Sequence, residues 1–97
     1  MSDPPPLPYE MHAQGSGGFT TFESTEAVAL PLMLLTKATL RGTNGQRMIL
    51  EYGSTSTVID GDGLTELFAH LLSGRVKSLR LGRHDGCSVK GIQIIDN

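Results

Sequence analysis

The sequence predicts an α+β domain: a small antiparallel sheet of about four strands in ββαββ order, with one amphipathic helix packed on one face. Three observations carry this. Leu64, Leu67, Phe68, Leu71 and Leu72 fall at i, i+3, i+4, i+7 and i+8, which is one helical stripe. Asn44-Gly45, a dipeptide that tolerates positive φ, sits between two strand-like runs. Two further strand-like runs, residues 76–83 and 87–96, follow the stripe.

Taken in order, residues 1–18 read as a disordered Pro/Gly-rich tail and residues 19–97 as a single small domain. Asp3-Pro4-Pro5-Pro6-Leu7-Pro8 favours extended polyproline backbone, and Gln14-Gly15-Ser16-Gly17-Gly18 has a flexible linker's composition. Phe19-Thr20-Thr21-Phe22 fits a short strand. Residues 28–41 form the first long extended segment, and Pro31, with no N–H to give a ladder, belongs at its start or at a sheet edge. From Leu34 the pattern alternates, with Leu34, Thr36, Ala38 and Leu40 on one face. After the turn at residues 42–45, residues 46–52 return with Met48, Leu50 and Tyr52 together.

Residues 53–57 are polar and are expected to connect. Asp62 has the chemistry of a helix N-cap. The helix is predicted over 63–73, with Gly74 as its left-handed stop and Arg75 near the negative end of the dipole. His84-Asp85-Gly86 is expected to turn a second hairpin, placing Leu79 and Leu81 beside Ile92 and Ile94. The helix cannot stand alone. Burying its apolar stripe is worth roughly 8–15 kcal/mol, whereas ordering its residues costs roughly 16 kcal/mol.

Composition excludes several classes of function. The chain has 97 residues, one domain at most, and a net charge of −2, so the whole molecule is no electrostatic trap for nucleic acid. All of its Lys and Arg lie in residues 37–97, a mild asymmetry. The single cysteine, Cys87, precludes an internal disulfide and, with no secretory signal at the start, favours a cytoplasmic location. The longest apolar run, residues 27–35, is interrupted by Pro31 and is far below the roughly 18–20 residues needed to span a bilayer.

That same run is more apolar than one small helix can cover. Val28, Leu30, Leu32, Met33 and Leu35 are therefore the expected oligomer interface. Lys37, Arg41, Arg47 and Arg80 are expected on the sheet face away from the helix, which makes nucleic acid the alternative partner. The stacking aromatics of single-strand binders are missing from that face.

Other motifs favour structural roles. Asp60-Gly61-Asp62-Gly63 starts like a calcium loop of the EF-hand type, but the fifth and twelfth positions are Leu64 and Leu71, so the ligand pattern fails. His84 and Cys87 across a turn offer a thiol and an imidazole for a small enzyme, with no oxyanion donors to support them. His12, His70 and His84 with one cysteine give no zinc spacing. Glu66 and His70 lie i, i+4 and are expected to pair. Pro5-Pro6-Leu7-Pro8 is similar to peptides that WW-type and SH3-type domains read. No metal or cofactor is expected. The leading expectation is a non-catalytic protein-interaction module that self-associates.

Overall fold

A computed structural model describes residues 8–13, 17–84 and 86–96. Residues 4–7 of the proline string, residues 14–16 of the expected linker and Asp85 of the second turn lie outside the described residues. The strands are β1 (Tyr9–Met11), β2 (Phe19–Glu23), β3 (Ala27–Pro31), β4 (Leu35–Arg41), β5 (Arg47–Tyr52), β6 (Thr55–Asp62), β7 (Val76–Arg80), β8 (Gly82–His84) and β9 (Cys87–Asp96). A 3-10 turn, Leu32–Leu34, joins β3 to β4, and the α-helix α1 is Thr65–Leu72.

The single four-stranded sheet expected from the sequence is not what forms. The strands make two sheets, one of four strands in the order β1-β7-β2-β3 and one of five in the order β4-β5-β6-β9-β8. β2 and β7 run parallel; the other pairs are antiparallel. Size explains why one helix does not suffice. Eight helical residues span about 12 Å, and five paired strands span about 19 Å. A second sheet covers what the helix leaves.

Local chemistry produces the difference. Gly53 takes the first position of a two-residue loop at φ +59, and Tyr52 pairs with Thr55. The polar stretch expected as a connection is therefore the start of β6, with Thr57 and Ile59 inward. Residues 76–83 do not form one hairpin arm. β7 joins the first sheet and only Gly82–His84 pairs with β9. Leu81 sits at the bend between the sheets and is exposed rather than in the core. Tyr9–Met11, inside the stretch expected to be a loose tail, pairs with β7, and Pro8 before it is fully buried.

One core lies between the sheets. Phe22 and Leu30 enter it from β2 and β3, Met48, Leu50 and Tyr52 from β5, and Leu67 and Leu71 from α1. The rings of Phe22 and Tyr52 meet edge-on at 5.9 Å, a direct contact between the two sheets.

The helix is anchored at its start by backbone. The Leu64 N–H donates to the Gly45 carbonyl at 3.0 Å. A Cβ on Gly45, itself at φ +67, would lie 2.9 Å from the Thr65 nitrogen, so only glycine fits this approach. Asp62 is not the N-cap; it ends β6 and accepts from Lys90 Nζ at 2.8 Å. Leu64 holds the N-cap position with no side-chain cap. The stop is as the sequence predicts: Gly74 has φ +73. Gly74 N–H donates to Leu71 and Arg75 N–H to His70, the paired bonds of a Schellman ending.

Candidate functional site

β3 is the last strand of the four-stranded sheet and β4 the last of the five-stranded one. The 3-10 turn carries the chain from one edge to the other. This seam, residues 27–36, contains no charged side chain. Native sheets ordinarily guard open edges with charge, proline or a covering element. Here, among the described residues, the device within the seam is Pro31, at the last position of β3.

The five residues expected as an interface divide. Leu30 is buried in the core, and Val28 and Leu35 are half-buried against it. Leu32 is half-buried, and Met33 is 87% exposed. The structure adds two residues that pattern reading missed, Leu34 and Leu72, each 46% exposed. Leu34 ends the 3-10 turn, ahead of β4, and is exposed there; a register shift then follows inside β4. Leu35 pairs with Tyr52 but Lys37 pairs with Glu51, leaving Thr36 as an extra residue. The bulge puts Leu35 on the core side with Ala38 and Leu40, opposite to its expected facing. Leu72 had a legible signal, because the helical stripe is wider than the face α1 buries.

Between the 3-10 turn, β4 and the end of α1 lies a groove of about 350 Å³ lined by Leu32, Leu35, Thr36, Lys37, Ala38 and Leu72. Most of this lining is apolar. Its polar side chains are Thr36 and Lys37, with no carboxylate, imidazole or thiol beside them in the lining. Shape and apolar area are what it presents to a partner.

The basic set does not assemble as expected. Arg41 and Arg47 pair across β4 and β5, and Lys37 faces Glu51 in the same ladder. Arg47 Nε donates to Asp60 Oδ1 at 2.7 Å. Arg80 lies on β7, in the other sheet. Carboxylates thus interleave with the cations on the five-stranded sheet, which breaks the track that phosphate binding needs.

A second cavity, of about 510 Å³, opens at the start of α1, lined in part by Tyr9, Asn44, Asp62, Thr65, Glu66 and Cys87. Two of its groups, Tyr9 and Cys87, hold their protons more tightly than usual. Burial, then the negative charges of Cys87 and Glu66, push the Tyr9 phenol up. Burial, then the Glu66 carboxylate, push the Cys87 thiol up. A thiol shifted this way is a poor nucleophile at neutral pH. Asp62 goes the other way, held down chiefly by its hydrogen bond from Lys90. His84 lies across from Cys87 in the β8–β9 ladder. The expected Glu66–His70 contact forms at 3.6 Å.

Among the described residues, no group of three or more His, Cys, Asp or Glu side chains is placed to hold a metal ion. Among the same residues, no helix is long and apolar enough to cross a membrane. The proline string is not wholly free for a reader domain, because the Pro8 carbonyl accepts from the Arg80 N–H at 2.7 Å inside the fold. Among the described residues, fold and site together define a small two-sheet protein with one α-helix and an open apolar seam. No protein-family model matches the chain, and neither does any curated protein or solved structure.

Proposed function

We propose that this protein is a non-catalytic interaction module that self-associates through the seam formed by β3, the 3-10 turn and β4. The observation that carries the reading is Met33. It stands 87% exposed on a turn, beside an apolar groove, in a stretch with no charge. A flexible thioether suits such a surface, because it adapts to an irregular partner. The core already absorbs Leu30, so the association surface is Leu32, Met33, Leu34 and Leu72 with the accessible parts of Val28 and Leu35. We place the module in the cytoplasm, in keeping with its lone free cysteine.

Sedimentation of Met33→Asp beside the wild-type chain tests this reading. A buried charge at an apolar contact weakens association by at least about tenfold. Equal association of the two chains would remove the seam as the interface.

A further inference from the structure

The geometry points to how two copies join: β3 of one copy adds to β3 of the other, antiparallel, about a two-fold axis at Ala29, to make one continuous sheet. This inference rests on the self-association proposed above and specifies its partner surface.

The register of β3 decides which backbone groups remain free. Every pair in the β2–β3 ladder joins residues such as Thr20 with Leu30 and Phe22 with Val28. The same register extended by one step matches Gly18 with Leu32, and the Leu32 N–H does donate to the Gly18 carbonyl at 2.9 Å. In an antiparallel ladder, hydrogen-bonded pairs alternate with non-bonded ones. Leu30 and Val28 therefore direct their backbone groups inward to β2. Ala27, Ala29 and Pro31 direct theirs to the open side, where the sheet has no further strand among the described residues.

That open side is complementary to itself. Centred on Ala29, an antiparallel copy lets Ala29 exchange both N–H and C=O with Ala29 of the second copy. The N–H of Ala27 then reaches the carbonyl of Pro31 in the second copy. The missing N–H of Pro31 falls on the open side, so proline costs β3 nothing in its own ladder and ends the new pairing at that point.

Side chains favour a second copy over an unrelated strand. About this axis Ala29 meets its own counterpart, Ala27 meets Pro31 and Val28 meets Leu30, so every pair across the new edge is uncharged. The outward-facing side chains of β3 are the small, exposed Ala27 and Ala29.

The test uses the full chain and charge swaps at Ala29, an exposed position off the core. Ala29→Lys and Ala29→Glu each place like charges against each other at the axis. Sedimentation should show each variant associating about two- to fivefold more weakly than wild type. An equimolar mixture of the two should regain association, because the pair becomes Lys against Glu. Amide exchange gives a second readout. The Ala27 and Ala29 amides should gain protection as protein concentration rises, while Val28 and Leu30 are protected throughout. Wild-type association with no loss in either variant, or a mixture no tighter than its components, overturns strand pairing. If Met33→Asp still disrupts association in that case, the seam remains the interface by another geometry. A wild-type chain that stays monomeric at about 1 mM overturns both.

Discussion

Thr57 should be more stable as valine. It lies in the middle of β6, paired with Leu50 on one side and Ile94 on the other. The residue is fully buried, and its Oγ1 has no hydrogen-bond partner among the described residues. A buried hydroxyl left unpaired forgoes its bonds to water and costs about 1–3 kcal/mol. Valine has nearly the same shape and replaces that oxygen with a methyl group. It also suits a half-buried strand at least as well as threonine. Thr57→Val is therefore expected to stabilise the fold by about 1–2 kcal/mol, raising Tm by about 5 °C or more. Thr57→Ser keeps the unpaired oxygen and loses a methyl, so it should destabilise by about 1 kcal/mol. Urea unfolding of the three chains, with equal m values, measures both effects. A Thr57→Val chain less stable than wild type would refute the reasoning, because it would mean that the hydroxyl is satisfied in the folded state.

Four further outcomes are expected. Leu67→Ala, which empties a fully buried position where α1 meets the core, should cost about 2–5 kcal/mol in denaturant unfolding. Gly63→Ala should prevent normal folding by circular dichroism. Gly63 has φ +63, and an added Cβ would strike the Gly86 carbonyl oxygen. Burial pushes the Tyr52 phenol from 10.0 up to about 12. The folded state thus holds that proton more tightly than the unfolded chain, so this stability is complete below pH 10 and lost as pH rises toward 12. Stability of Tyr52→Phe measured across that window should fall less than wild type. Cys87 should react with a thiol reagent at neutral pH more slowly than a free cysteine, with unfolding restoring the rate; a faster native reaction would revive the thiol–imidazole reading.

Legibility from sequence followed the strength of local signals. The α1 stripe and Gly74 were readable because packing period and backbone chirality agree there. The β4–β5 hairpin was readable from Asn44-Gly45, although its loop uses positive φ at Gly42 and Gly45 as well. The division into two sheets was not readable. β7 has similar apolar spacing whether it pairs with β9 or, as it does, with β1 and β2. β6 was hidden because Thr55, Ser56 and Thr57 look like a linker, yet Gly53-Ser54 marks the tight turn that makes them a strand. At the seam, the excess of apolar residues was visible, but the 3-10 turn that leaves Leu34 exposed and the bulge that tucks in Leu35 depend on how the chain passes from β3 to its pairing with β5. The basic residues could be counted, and their placement on different sheets could not.

Self-association through the seam is the central claim, and sedimentation equilibrium of the wild-type chain over a broad concentration range tests it most directly. The exposed Met33, Leu34 and Leu72 beside an uncharged edge predict a reversible dimer whose population rises with concentration. A single monomeric species at every concentration, up to about 1 mM, would contradict it.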